Sequence, residues 1–220
     1  MAFTGIPHDA VAFYRELEGH NDREWWTANM ARYERTVRGP CTALGEEVAP
    51  GFGEPKVFRP HRDVRFSADK TPYKTHQGLY AQRSDHNGWY LQVDGGGYLL
   101  AGGQWWMAGD QLSRYRSAVA NPATGVQLEA ILRELRQAGY AVEGERLKTR
   151  PRGVDADAPR LELLRHKSLS VNLQLGEPEW MTTPEAAEYV VDGWDELREL
   201  VEWFATWVGN SDGRGRGRGQ

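Results

Sequence analysis

The spacing of apolar residues changes along the chain, from helical near both ends to alternating in the middle. Residues 8–18 carry apolar side chains at helical intervals, and residues 194–208 repeat that pattern. Residues 168–175 read SLSVNLQL, so every second side chain is apolar. Strict alternation predicts a strand with one buried face. The two periods together predict an α+β fold.

Other extended segments precede the alternating strand. They span residues 57–66, 73–83, 89–93 and 98–103, and short polar or glycine-rich links separate them. Consecutive strands with short links are typical of an antiparallel meander. We therefore predict a mostly antiparallel sheet of five or more strands, with N-terminal, middle and C-terminal helices packed on it.

Local signals predict where several elements begin and end. Asn21, three residues before a glutamate, predicts the N-terminal cap of a second helix, and Gly39-Pro40 predicts a break in that helix. Asn87-Gly88 predicts a hairpin turn. Asp110 predicts the cap of the middle helices, where a break at Asn121-Pro122 precedes a helix from Leu128.

The 220-residue length fits a single domain over residues 1–208, followed by a Gly/Arg tail at 209–220 that we predict to be disordered. Cys41 has no second cysteine with which to form an intramolecular disulfide, and one cysteine does not make a Cys-rich metal site. The N-terminus lacks signal-peptide features, and no run of 18 apolar residues predicts a membrane span. These features predict a cytoplasmic protein with no membrane partner. They do not indicate an oligomeric state.

Positive charge is concentrated in two segments of an otherwise acidic chain. The net charge is -4, yet residues 55–83 carry seven Lys or Arg and two acids, and residues 146–170 carry seven and three. Clustered like charges repel, so carboxylates or an anionic ligand should offset them. An anionic small molecule is therefore the predicted partner.

The first basic segment supplies most of the predicted binding residues. Guanidinium and ammonium groups are common ligands of phosphate and carboxylate, and hydroxyl groups can assist them. The predicted ligand-binding residues of this segment are Arg59, Arg62, Arg65, Ser67, Lys70, Tyr73 and Lys74.

Two residues of the same segment are predicted to transfer protons. In an extended chain Asp63 shares a face with Arg59 and Arg65, so it can orient a guanidinium or act as a base. The other reading of Asp63 is a structural ion pair with an arginine. His76 shares a face with Lys74 in the next strand, and pairing of the two strands brings these faces together.

The second basic segment contributes Arg150, Arg165 and Lys167, which should reach the mouth of the same pocket if residues 168–175 join the same sheet. We predict neither a metal nor a cofactor. The histidines show no metal-binding spacing, and the surrounding positive charge opposes a cation. Gly95-Gly96-Gly97 lies between strands and lacks the lysine of a phosphate-binding loop.

The chain resembles the domain-of-unknown-function 2461 family of uncharacterised bacterial and fungal proteins. The resemblance rests on FRPHRDVRFSADKTPYKTH at 58–76, with NDREWW, ARYE, LSRYR, LKTRPRG and LLRHKSL in the same order along residues 8–208. The resemblance implies that the basic residues belong to a shared pattern. It implies no particular activity.

Three functions remain open from the sequence. The first is a basic pocket that binds a phosphorylated or carboxylated small molecule, with or without catalysis. The second is a nucleic-acid-binding module, in which basic strands contact phosphates and nearby aromatic rings stack on bases. The third is a non-catalytic interaction protein in which the arginines form a structural network with aspartates.

Overall fold

The structure is a computed structural model that describes residues 2–65 and 68–213. The chain divides into two compact units, each built from separate stretches of sequence. Unit 1 comprises residues 1–81, 90–100 and 174–193, and unit 2 comprises residues 82–89, 101–173 and 194–220. Residues 55–81 of the first basic segment belong to unit 1, and the second basic segment belongs to unit 2.

Helices form the N-terminal part of unit 1. They are α1 (Asp9–Gly19), α2 (Arg23–Tyr33) and α3 (Gly39–Phe52). The stripe predicted for α1 is buried, and Phe13 packs against Trp26 and Tyr33 at ring-centroid distances of 5.8 and 5.7 Å. The predicted cap at Asn21 is wrong, because Asp22 accepts the hydrogen bond from Trp25 N, at 2.8 Å.

The predicted helix break at Gly39-Pro40 is also wrong. Residues Glu34–Arg38 form a π-helical segment that joins α2 to α3 without interruption. The amide of Gly39 donates to Glu34 O, five residues earlier, and a Cβ at Gly39 would lie 2.8 Å from that oxygen. Glycine therefore permits the wide turn, and Pro40 is tolerated near the start of α3 because it has no amide to satisfy.

The strands form one antiparallel six-stranded sheet. They are β1 (Lys56–Val57), β2 (His76–Ser84), β3 (Asn87–Asp94), β4 (Gly97–Gln104), β5 (Ala141–Glu143) and β6 (Leu169–Gly176). Their order across the sheet is β1-β2-β3-β4-β6-β5. The predicted α+β class and the mostly antiparallel sheet are confirmed.

The turn between β2 and β3 differs from the prediction. It is formed by Asp85 and His86, and His86 takes a φ of 57°. Asn87 instead begins β3, where its side chain is fully buried and donates to Ser84 Oγ and to Val201 O, at 3.1 and 2.9 Å. The side-chain amide of Asn87 therefore forms hydrogen bonds inside unit 2, and Asn87 is not part of the turn.

Further helices are α4 (Gly109–Ala120), α5 (Pro122–Gln137), α6 (Leu161–Leu164), α7 (Ala186–Glu196) and α8 (Arg198–Trp207). The predicted start of α5 at Leu128 is wrong. Asn121 Oδ1 accepts the amide of Ala123, and Pro122 occupies the first turn. Asp110 lies in the first turn of α4, one position after its first residue, and Ala108 is the capping residue.

The predicted Gly/Arg tail is partly described, with residues 214–220 outside the described part of the chain. Gly209 O accepts a hydrogen bond from Gln111 Nε2, and Asp212 N donates to Asp110 Oδ2, at 2.7 and 2.8 Å. These contacts hold residues 209–212 against the start of α4. No helix of the described residues has both the length and the apolar character to cross a membrane.

Candidate functional site

The first basic segment continues β1 along the edge strand of the sheet. After the β1 pairs, the amide of Lys74 donates to Pro60 O at 2.8 Å, and the amide of Arg62 donates to Pro72 O at 2.9 Å. His61 forms an isolated antiparallel bridge with Tyr73. The predicted pairing of residues 57–66 with 73–83 is therefore present over residues 56–62, although only Lys56–Val57 form a regular strand.

A bulge interrupts this pairing at the predicted site. Between the Val57–Leu79 and His61–Tyr73 pairs lie three residues on the β1 side and five on the β2 side. The two additional residues displace the stretch that carries Lys74 and His76. A bulge of this kind redirects side chains at a sheet edge.

Three side chains fix the bulge, and two of them, Gln77 and Tyr33, are buried. Gln77 Nε2 donates to Phe58 O and to Gly78 O, at 2.9 and 3.0 Å. Gln77 Oε1 accepts from the hydroxyl of Tyr33, at 2.7 Å. Asn21 pairs with the Tyr73 backbone in both directions, accepting from its amide at 3.1 Å and donating to its carbonyl at 2.9 Å. α2 and the segment before it therefore position this edge.

Two of the predicted binding arginines are neutralised by aspartates close in sequence. Arg62 pairs with Asp69 and donates to Thr71 Oγ1 at 2.6 Å. Arg65 donates to both oxygens of Asp63, at 2.9 Å from Nε and 2.6 Å from Nη2. The guanidinium of Arg65 lowers the pKa of the Asp63 carboxyl to about 2, so Asp63 is a weak base.

Two other predicted residues of the 62–73 stretch have structural contacts. Lys70 Nζ donates to Val64 O at 3.0 Å and closes the loop. Tyr73 is buried, and its ring stacks on Trp26 at a centroid distance of 4.1 Å. Ser67 lies outside the described residues.

Lys56, Arg59 and Lys74 form what we call the basic cluster. Lys74 Nζ lies 5.1 Å from the centre of the Phe58 ring. Burial lowers the pKa of Lys74, and the positive charges of Arg59 and Lys56 lower it further. Among the described residues, none of the three cations forms an ion pair with a carboxylate. The basic cluster thus holds positive charge without an internal counterion.

His76 lies beside the basic cluster, with a half-buried imidazole. Burial lowers its pKa, and the charges of Lys74 and Arg62 act in the same direction, while Asp94 opposes them. His76 is therefore neutral at neutral pH. Asp94 ends a polar row on β3, in which Tyr90 donates to Gln92 and Gln92 donates to Asp94, at 3.0 and 2.6 Å.

The second basic segment is held mainly by local contacts within unit 2. Arg165 donates to Leu147 O and Lys148 O, both at 2.9 Å, and pairs with Glu162 at 3.0 Å. Lys167 pairs with Glu145. Arg150 is exposed and has no hydrogen bond or ion pair with the described residues. The contribution of these three residues to a common pocket stays a prediction.

Sequence reasoning missed the residues that build the site from outside the basic segment. Asn21, Gln77 and Asp94 are polar residues in or beside predicted elements. Asn21 and Gln77 hydrogen-bond to the backbone of Tyr73 and Phe58, and the charge of Asp94 acts on the pKa of His76. Gln77 carries the one usable signal, because it is polar on the apolar face of a predicted strand. Clusters of three or more metal-ligating side chains do not occur in the described ranges.

A protein-family model matches most of the chain. The family model described as conserved hypothetical protein DUF2461 matches residues 9–203, a span that includes both basic segments. No curated protein matches the chain. Because the matched span covers most of the 220 residues, the chain belongs to the DUF2461 family.

Proposed function

We propose that the basic cluster and His76 bind a small molecule through its phosphate or carboxylate group. The observation that carries the proposal is the lack of a described counterion for Lys56, Arg59 and Lys74. Lys56 and Arg59 are exposed and Lys74 is half-buried. Their like charges repel one another, and a bound anion would remove that repulsion. A lysine and an arginine together offer a compact charge and a planar set of donors.

The neighbouring arginines, Arg62 and Arg65, have a structural role in this proposal. Arg62 and Arg65 already contact Asp69 and Asp63, so they hold the loop that follows the edge strand. The proposal thus includes both a structural network of ion pairs and an anion-binding site. The network organises the loop, and the basic cluster is left to bind the ligand.

Of the two residues predicted to transfer protons, His76 suits the task better. Its imidazole is neutral at neutral pH and, among the described residues, makes no side-chain hydrogen bond. A neutral imidazole can accept a proton from a ligand hydroxyl or donate a hydrogen bond to an anion. Asp63 is held ionised by Arg65 and attracts a proton weakly.

Thermal unfolding in inorganic phosphate tests the proposal. For a Kd of about 1 mM, about 20 mM phosphate stabilises the protein by roughly 2 kcal/mol. In a chain of this size that is a rise in Tm of roughly 4–8 °C. Sodium chloride at matched ionic strength should give a much smaller shift.

Two charge-removing variants make the test specific. Lys74→Gln should abolish the phosphate-dependent shift. Arg133→Gln removes the same charge from the exposed surface of α5 and should leave the shift unchanged. Equal shifts in both variants, or no response of the unmodified protein to phosphate, sulfate or citrate, would contradict the proposal. Tighter binding of a single-stranded oligonucleotide, with a steep dependence on salt, would favour nucleic acid as the ligand.

A further inference from the structure

A cleft of about 290 Å³ lies in unit 1 beside Arg59. It is lined by the apolar or aromatic residues Trp26, Met30, Phe58 and His61, and by the charged residues Glu34, Arg38 and Arg59. Met30 is 51% exposed, which is high for a large apolar side chain of this fold. The cleft therefore offers an apolar surface next to a cation that has no described counterion.

The walls of the cleft are fixed by contacts beneath it. Trp26 stacks on Tyr73 with an interplanar angle of 10°, and His61 lies 5.2 Å from the same tyrosine ring. Arg38 ends the π-helical segment and donates to Glu34 Oε1 at 3.2 Å, so its charge is already balanced. π-Helical turns widen a helix and occur often at functional sites.

We infer that the ligand of the basic cluster carries a single aromatic ring, which occupies this cleft, next to its phosphate or carboxylate group. The inference rests on the proposed function, because Arg59 is shared by the cleft and the basic cluster. A cavity of about 150 Å³ accepts a benzene ring. The cleft volume of about 290 Å³ thus accommodates one ring and the start of an anionic substituent.

The lining favours an aromatic ring over an alkyl chain of similar size. Aromatic pairs contribute beyond the area that they bury, the thioether of methionine makes favourable contacts with ring edges, and a guanidinium stacks on a ring face. Trp26, Met30 and Arg59 provide one group of each kind. We expect an aromatic anion to bind about tenfold more tightly than its aliphatic counterpart.

Calorimetric titration with matched pairs of anions tests this inference. Phenyl phosphate and ethyl phosphate form one pair, and benzoate and acetate form the other. The aromatic member of at least one pair should bind about tenfold more tightly. Met30→Ala should reduce that preference severalfold and leave the aliphatic anion unaffected. Val126→Ala, at an apolar residue of α5 with 54% exposure, is the matched control and should change nothing.

The variants separate the inference from the proposed function. Equal binding of aromatic and aliphatic anions, lost in Lys74→Gln, would overturn the aromatic inference and leave the anion site standing. A tenfold aromatic preference that survives Met30→Ala would overturn the assignment of the ring to this cleft. Absence of binding by all four anions would overturn the proposed function and the inference with it.

Discussion

The hydrogen bond between Tyr33 and Gln77 offers the sharpest test of how the site is held. Both side chains are almost fully buried, with 1% and 2% of their surface exposed. Tyr33→Phe removes the donor and leaves Gln77 Oε1 without this partner. An unsatisfied buried polar group costs about 1–3 kcal/mol. We expect Tyr33→Phe to lower the free energy of unfolding by about 2 kcal/mol, and Tm by roughly 4–8 °C.

Gln77→Leu should cost more, because it removes three hydrogen bonds at once. The Tyr33 hydroxyl loses its acceptor, and the carbonyls of Phe58 and Gly78 lose a donor. At about 1 kcal/mol for each bond, the expected loss is about 3 kcal/mol. In the double variant neither partner of the Tyr33 bond is left alone, so the loss should fall short of the sum by about 1–2 kcal/mol.

Urea unfolding of the four proteins of this cycle, followed by both fluorescence and circular dichroism, measures these differences. Tyr189→Phe serves as the control, because Tyr189 is 47% exposed and the same change there should stay within about 0.5 kcal/mol. Additive losses, within about 0.5 kcal/mol, would refute the coupling. The bulge would then not depend on this contact.

Three further predictions concern single residues. Gly78→Ala places a Cβ 2.7–2.8 Å from the side chains of Tyr90 and Phe58, so it should lower the free energy of unfolding in urea by about 1–3 kcal/mol. In the control Gly19→Ala, the new Cβ meets no atom within 4 Å, so the change should be neutral or slightly stabilising. The buried thiol of Cys41, with its pKa raised to about 12, should resist iodoacetamide in the native protein and react in urea, as mass spectrometry would show. Arg32 pairs with Asp9 and Glu16, and it lowers the pKa of Asp9. The Asp9 pair therefore stabilises the fold above the unfolded pKa of about 3.9 and loses that effect as the pH falls through the folded value. The difference in stability between the unsubstituted protein and Arg32→Ala should shrink below about pH 4, and similar differences at pH 3 and pH 7 would contradict it.

Alternation and helical spacing were sufficient to predict the sheet and most of the helices. Both patterns relate residues that are only a few positions apart, so they are visible in a single sequence. The ion pairs of Arg62 and Arg65 are equally local, since their aspartates lie seven and two residues away. Such pairs were one of the two interpretations that the sequence offered for this segment.

The features that shape the site depend on contacts between distant residues. Asn21 meets Tyr73 across 52 positions, and Tyr33 meets Gln77 across 44. Nothing in the spacing near Asn21 indicates such a partner, and its helix-capping chemistry suggested another use. The outcome at Gly39-Pro40 has a local cause. This pair favours a break in a standard α-helix but fits a π-helical turn, because that turn needs a missing Cβ at Gly39.

The electrostatics of the site predict that ligand binding takes up protons. Burial and nearby cations lower the pKa of His76, and the same causes lower that of Lys74. A bound phosphate dianion would oppose both effects and raise the pKa of the imidazole toward or above its ordinary value of about 6.5. Near that pH, phosphate binding should therefore add a fraction of a proton, which calorimetry in buffers of different ionisation enthalpy measures directly. His76→Asn should remove most of the uptake that remains after the titration of phosphate itself is subtracted. If His76→Asn left the proton uptake unchanged, the anion would bind away from this imidazole. The proposal that His76 and the basic cluster bind the anion together would then be wrong.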